Sequence, residues 1–325
     1  MELTDSFGRT INYLRLSVTD RCNMRCVYCM PSGGIPLLTH DDILSYEDLL
    51  LIAAAATDAG IEKIRVTGGE PLLRRGIVPF LSRLAAVPGL RQLVLTTNGL
   101  LLEEMAESLR RAGVQRLNVS LDSLRPDTFA GITRGGNLHR VMAGIAAAER
   151  AGFPLKINMV VMGGVNDDEV IEFASLTLDR PLTVRFIEYM PAIRAANWEE
   201  RIVPGETILD RISRRFRYTP LERDGLAGPA KIYRIDGAAG TIGVITPVTG
   251  HFCNDCNRIR VTAAGRARSC LFSETGCDLK PFLVARDRVG LDAALRAIVA
   301  RKPVRHHFVD DRRQHEPFAM SAIGG

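Results

Sequence analysis

The sequence predicts an α/β protein, an incomplete (β/α)6 TIM-type barrel followed by a smaller C-terminal region of mixed α and β character. Three observations carry that expectation. Between about residues 12 and 190, short β-branched runs alternate with Ala- and Leu-rich segments of helical spacing, as repeated βα units with a parallel sheet require. After Met190 the pattern changes to a charged helix and short strands around a Gly-rich stretch. No repeat of solenoid period and no low-complexity tract competes with this architecture.

In chain order, strands are expected at 12–18, 63–67, 91–97, 115–121, 154–161 and 182–189. Segments such as 46–59, 101–112 and 137–151 have the apolar spacing of helices packed on the outside of the sheet. Beyond them come a helix at 206–216 and strands near 231–235 and 240–246. Two regions follow, 1–200 and 201–325, with the boundary between residues 190 and 230. A chain of 325 residues exceeds one average domain but suits a barrel with an appended unit, and its core can be large.

The strands depart from the usual parallel pattern, in which both faces are covered and the sequence reads as a continuous apolar run. Arg15, Ser17 and Thr19 alternate with Leu14, Leu16 and Val18, and Arg65 and Thr67 alternate with Ile64 and Val66. The fourth strand offers Asn118, Ser120 and Asp122, the fifth Lys156 and Asn158, the sixth Arg185. An antiparallel sheet with one wet face would read the same way, but the intervening helices favour parallel crossovers. The polar positions then line a lumen. Four of them are cationic, so the lumen should hold an anion, and Arg and Lys suit phosphate oxygens.

Composition narrows the function classes. With 46% hydrophobic and 24% charged residues the chain reads as globular. Met1 to Thr10 lacks the apolar core of a leader, and no uncharged run has bilayer-spanning length, so a cytoplasmic protein without membrane partners is expected. The net charge of +5 is spread along the chain; it supports an acidic ligand weakly and nucleic acid not at all. A nucleic-acid-binding protein with two zinc sites would also need basic and aromatic residues clustered for base stacking, and these are missing.

Seven cysteines in a reducing compartment point to metal ligands or reactive thiols rather than disulfides. They segregate: Cys22, Cys26 and Cys29 follow the first strand, while Cys253, Cys256 and Cys270 lie near the C terminus with Cys277 just beyond. Three thiolates are one fewer than a 4Fe-4S cubane normally takes, which leaves one iron open. Structural zinc at the first group would need a fourth nearby ligand, and His40 is poorly placed for it. At the second group Cys277 could complete a tetrathiolate zinc site, and spacing alone leaves that alternative open.

Cys22-Asn23-Met24-Arg25-Cys26-Val27-Tyr28-Cys29 resembles the signature of the radical S-adenosylmethionine superfamily, and Gly68-Gly69-Glu70-Pro71 resembles the motif that contacts that cofactor's amino group. Arg15 to Cys22, Arg65 to Pro71, Thr96 to Gly99, Asn118 to Asp122, Arg185 to Glu188 and Cys253-x-x-Cys256 with Arg258-Ile259-Arg260 and Cys270 together resemble the GTP 3′,8-cyclase family, from Arg15 to the C terminus. The loop from Pro31 to His40 is shorter and less basic than that family leads one to expect.

The resemblance implies a lyase of molybdenum-cofactor biosynthesis. Cys22, Cys26 and Cys29 would hold a 4Fe-4S cluster whose open iron binds S-adenosylmethionine, with Tyr28, Gly69, Ser120 and Met190 as further contacts. Cys253, Cys256 and Cys270 would hold a second 4Fe-4S cluster that binds the guanine base, leaving Cys277 as an ordinary thiol. Arg15, Arg65, Thr96, Lys156, Arg258, Ile259 and Arg260 would contact GTP, and Gly324-Gly325 would reach into the active site. It further implies that a deoxyadenosyl radical takes the 3′ hydrogen of GTP and that the ribose radical attacks C8, without a side-chain general base. The implied partners are an external one-electron reductant, a second copy in a homodimer and the cyclic pyranopterin monophosphate synthase that takes the product. A two-cluster enzyme acting on a peptide would be expected to carry more cysteines in the second region.

Overall fold

The computed structural model describes residues 2–190, 198–222, 225–250, 252–273, 276–306 and 320–323. Six parallel strands alternate with helices: β1 (Tyr13–Ser17), α1 (Tyr46–Asp58), β2 (Lys63–Thr67), α2 (Ile77–Ala85), β3 (Gln92–Thr97), α3 (Leu102–Arg111) and β4 (Arg116–Ser120). Then come α4 (Pro126–Thr133), α5 (Leu138–Arg150), β5 (Leu155–Val161), α6 (Val170–Asp179) and β6 (Thr183–Glu188). All six expected strands are present.

Local chemistry explains the helices. Ser45 accepts from the Asp48 amide ahead of α1, and Asn137 accepts from the Arg140 amide ahead of α5, so each side chain satisfies an amide the first turn leaves open. In α3 the acidic pair Glu103 and Glu104 opens the helix and Arg110 and Arg111 close it, complementing the helix dipole. Its Leu102, Ala106 and Leu109 face the sheet.

The C-terminal part contains α7 (Gly205–Ser213), β7 (Tyr218–Leu221), β8 (Lys231–Ile235), β9 (Thr241–Ile245), β10 (Arg258–Val261), β11 (Arg266–Arg268), β12 (Cys277–Asp278), α8 (Lys280–Val284) and α9 (Arg288–Ala300). These strands join the first sheet at both edges. The strand order is β12-β11-β10-β1-β2-β3-β4-β5-β6-β9-β8-β7. Strand β10 pairs parallel with β1, and β9 pairs parallel with β6, so eight strands run parallel and antiparallel hairpins cover the rims. Both open edges of the six-stranded array, which would otherwise present unpaired backbone groups, are thereby occupied.

The two faces sort as the alternation predicts. Leu14, Leu16, Ile64, Val66, Leu95, Leu117 and Ile157 are buried in one hydrophobic cluster with the helices. On the other face Arg15, Arg65, Thr67, Thr96, Ser120, Asn158 and Arg185 line a single large cavity.

Glu188, at the end of β6, fastens the C-terminal chain to this frame. Its buried carboxylate accepts from the amides of Gly205 (2.7 Å), Val248 (3.0 Å) and Thr249 (3.0 Å) and from the Thr249 hydroxyl. The segment it holds runs directly into Cys253. Glu188→Ala strands several buried donors and should destabilise the fold by about 2–3 kcal/mol, readable as a lowered denaturant midpoint.

Candidate active site

Every thiol of both cysteine triads opens on the cavity inside the sheet, together with the polar strand positions described above. The first triad sits in the loop after β1, at the C-terminal end of the parallel strands, where the βα loops of barrels gather. Among the described residues no three His, Cys, Asp or Glu side chains converge as around a single ion.

Three devices hold the first cysteine loop. Its backbone bonds the end of α4, from Arg25 N to Thr133 O (3.1 Å) and Val27 N to Ile132 O (2.9 Å). Arg134 closes α4 in the left-handed region (φ 53°) and turns its guanidinium onto the carbonyls of Arg25 (3.0 Å) and Met30 (2.8 Å). A non-glycine residue there stores strain, which the two carbonyl bonds offset. Residues 68–70 grip the loop from the other side, with Gly69 N donating to Thr19 O and Glu70 N to Arg21 O, both at 2.8 Å.

That grip explains the Gly-Gly pair. A Cβ at Gly68 would lie 2.4 Å from Thr19 O, and one at Gly69 2.2 Å from Arg21 O. The close approach required of these glycines is to the cysteine loop itself, and Gly69 also lines the cavity. Glu70 is turned inward, where its carboxylate accepts from Leu72 N (3.0 Å), Thr97 Oγ1 (2.9 Å) and Asn98 N (2.6 Å). Burial pushes it up to about 7 against the pull of those bonds. Asn98 in turn donates to Asn23 Oδ1 (2.7 Å) and contacts Cys22 Sγ (3.9 Å). The chain from Glu70 through Asn98 thus reaches a cysteine of the first triad.

The two triads differ in electrostatics. At the first, burial pushes Cys26 well up, helped by Asp122, Cys29 and Cys22. Burial and Cys22 raise Cys29 to about 12 despite backbone donors from Ser321 and Met320. Three thiols beside a carboxylate hold their protons and need a strongly cationic partner to give them up, which suits an iron-sulfur core. At the second, burial pushes Cys256 up, but Arg258 and Lys302 outweigh it and bring the thiol down to about 6. Cys277 lies partly buried on β12, with its thiol against the Asp278 carbonyl, and does not line the cavity.

Between the triads lies a cationic floor. Register places Arg260, Arg15 and Arg65 side by side on three neighbouring strands. Burial holds Arg15 well below the usual arginine range, followed by the charges of Arg260 and Arg65, while Arg185 falls to about 9 through burial and Arg65. Arg15 Nε, Arg65 Nε, Arg185 Nε, Thr96 Oγ1 and Asn118 Nδ2 are buried without a protein partner. Buried polar groups are ordinarily satisfied, so this convergence marks a ligand surface. Lys156, expected on the same face, is partly buried and is not among the residues that line the cavity; burial, then Arg185, Arg116, Arg65 and Lys63, bring its amine down to about 6.

The structure distributes the remaining expected residues as follows. Tyr28, Ser120 and Met190 line the cavity beside the first triad, and Tyr28 donates to Asp122 Oδ2 (2.8 Å). Arg258 and Arg260 face the cavity, but Ile259 between them points into the outer core and is fully buried there, so only its backbone is placed to meet a ligand. His40 is exposed on the loop 31–40, which Asp20 holds by accepting from Leu38 N (2.6 Å). Gly324 and Gly325 lie outside the described residues, but Met320 and Ser321 line the cavity and Met320 N donates to Cys29 O (3.2 Å). Alternation did not single out Tyr13, whose ring lies under Lys63 (4.7 Å) and Arg65 (5.4 Å), or Arg134.

Gly69→Ala drives a Cβ into the Arg21 carbonyl and should destabilise the protein by about 3 kcal/mol, the upper part of the overpacking range. Iron bound by the first triad should fall with it, as measured by metal analysis of anaerobically prepared protein.

Comparison with known proteins agrees with this geometry. Residues 16–177 match the Radical SAM superfamily, and residues 182–308 match Molybdenum Cofactor Synthesis C. The GTP 3′,8-cyclase of Geobacter sulfurreducens is 66% identical over the full length of both chains. That of Pelotomaculum thermopropionicum is 47% identical over 99% of this chain and 100% of its own. Among solved structures, Streptococcus suis SuiB bound to S-adenosylmethionine superposes with a TM-score of 0.59 at 14% identity, covering 89% of this chain and 69% of that one, a likeness of fold alone. The match of two family models in order, and of curated relatives along the whole chain, means that this protein belongs to the GTP 3′,8-cyclase family of the radical S-adenosylmethionine superfamily.

Proposed function

We propose that this chain is a lyase that converts GTP to (8S)-3′,8-cyclo-7,8-dihydroguanosine 5′-triphosphate in molybdenum-cofactor biosynthesis. The observation that carries the reading is one cavity joining two cysteine triads across a floor of buried cations. The relatives' name, GTP 3′,8-cyclase, supplies the substrate and the bond formed.

In this reading Cys22, Cys26 and Cys29 hold one 4Fe-4S cluster, and Cys253, Cys256 and Cys270 hold a second. Tyr28, Gly69, Ser120 and Met190 contact S-adenosylmethionine. Bound there, cluster and cofactor supply a one-electron cleavage that yields a hydrogen-abstracting radical. The chain itself contributes position. Arg15, Arg65, Lys156, Arg258 and Arg260, with Thr96 and the Ile259 backbone, take the triphosphate end of GTP and leave the nucleoside toward the triads. Holding C3′ and C8 in line turns an improbable encounter into an intramolecular step, and the enclosing sheet excludes water. No side chain acts as general acid or base.

The division into 1–200 and 201–325 then separates the S-adenosylmethionine site from the region that carries the second cluster. Cytoplasmic location, an external one-electron reductant, a homodimer and transfer of product to cyclic pyranopterin monophosphate synthase complete the reading. Among the described residues no helix is long and apolar enough to cross a membrane. Gly324 and Gly325 would continue the tail that already touches Cys29 at Met320.

Reconstituted protein should carry about eight irons per chain, the content of two 4Fe-4S clusters. Anaerobic incubation with GTP, S-adenosylmethionine and a strong reductant should yield the cyclised triphosphate by mass analysis. Stoichiometric zinc without iron, or no cyclised product, would overturn the assignment.

The cationic floor makes a separate prediction. Arg65→Ala or Lys156→Ala should weaken GTP binding by roughly 1.5–3 kcal/mol, the range for hydrogen bonds to charged groups, with little change for S-adenosylmethionine. Lys156 also sets a pH dependence. Its amine, brought down to about 6 among Arg185, Arg116, Arg65 and Lys63, is mostly neutral at pH 8 and regains its proton beside a triphosphate. Binding should therefore take up a proton, and affinity should fall as pH rises above about 6. Calorimetry in buffers of different ionisation enthalpy measures that uptake, which Lys156→Ala should abolish.

A further inference from the structure

Lys302 follows α9, more than thirty residues beyond the last cysteine of the second triad, and is 4% exposed. Its ammonium has three N–H donors. Nζ donates to the carbonyls of Arg258 (2.8 Å) and Ser269 (2.7 Å). Both bonds are thus made to immediate neighbours of the second cysteine triad. The two carbonyls lie on segments that only tertiary structure brings together, one following Cys256 and the other preceding Cys270. Lys302 bridges them.

Among the described residues no carboxylate forms an ion pair with it. Burial pulls its amine below the usual lysine range, Cys256 and Cys270 act against that pull and Arg258 with it, and its own charge also reaches Cys253. A buried ammonium is costly unless paired, so its natural counter-charges are thiolates. At the first triad the charged groups that act most on the cysteines are instead Asp122, Glu70 and the cysteines themselves.

We infer that Lys302 is a positioning residue of the second triad: it clamps the Cys256 and Cys270 segments together and sets a fixed positive charge against all three thiolates, raising the reduction potential of the cluster they hold. The inference rests on the reading that this triad binds a 4Fe-4S cluster. A cation close to cluster sulfur stabilises the reduced, more negative state, as net charge and hydrogen bonds around such clusters do in general.

The test uses the full-length chain with Cys22, Cys26 and Cys29 all replaced by Ala, so that only the second cluster contributes. Redox titration followed by electron paramagnetic resonance gives its midpoint potential, and metal analysis gives retained iron. Adding Lys302→Met, which keeps the stem and removes the charge, should shift the midpoint negative and lower the iron content. Lys302→Arg, which keeps the charge, should stay nearer the parent. An unchanged midpoint in Lys302→Met would overturn the inference even if iron is lost, since a purely structural lysine would leave the potential alone. The folding control is Lys302→Met in a chain with Cys253, Cys256 and Cys270 replaced by Ala. There the first triad should keep about four irons, the content of one cubane, and their loss would show a global folding role and overturn the local one. Absence of iron in the parent with only the second triad would instead overturn the two-cluster reading itself.

Discussion

Three arginines in one row of a buried sheet are the constraint around which the cavity is organised. Parallel register sets Arg260, Arg15 and Arg65 on adjacent strands, all facing inward. Like charges on neighbouring strands repel, and burial deepens the penalty by removing water. The fold tolerates the row because the opposite face of the same strands is packed throughout: Leu14, Leu16, Ile64, Val66, Ile259 and Val261 are fully buried against the helices. Hydrophobic packing on one face thus holds cations on the other where an anionic ligand can settle them.

The cavity needs both halves of the chain. The first six strands supply Arg15, Arg65, Thr96, Asn158 and Arg185, and β10 adds Arg258 and Arg260 by joining the edge beside β1. That pairing carries the second triad to the same mouth, since Cys253 and Cys256 lie just ahead of β10 and Cys270 just after β11. Glu188 fastens the return path at the opposite edge, so the span between β9 and β10 is held at both ends.

Similar ligand sets sit in opposite fields. Asp122 and Glu70 add negative potential to the first triad, whereas Arg258 and Lys302 add positive potential to the second. Two identical clusters in these places would not share one affinity for electrons, because charge and hydrogen bonding around the sulfurs set that affinity.

By itself the sequence determined the strand-helix alternation, the polar face of the strands and the first cysteine triad, because each is a local pattern: period two, helical spacing, or ligands within a few residues; at the second group spacing left Cys277 open, and the structure keeps that thiol off the cavity. Arg15, Arg65 and Arg185 were legible as cavity residues from alternation alone, whereas Lys156, read the same way, does not line the cavity. Only the tertiary structure decided that the later strands join both edges of the first sheet, since strand pairing leaves no mark in a local window. It also decided what the glycines at 68 and 69 are for, by bringing the backbone of 19–21 against them. Ile259 shows the limit within a single motif: it shares a three-residue stretch with two cavity arginines, yet the strand's period of two turns it to the core. Arg134, Glu188 and Lys302 are ordinary charged residues in the sequence, and their roles arise from long-range contacts that composition and spacing do not encode.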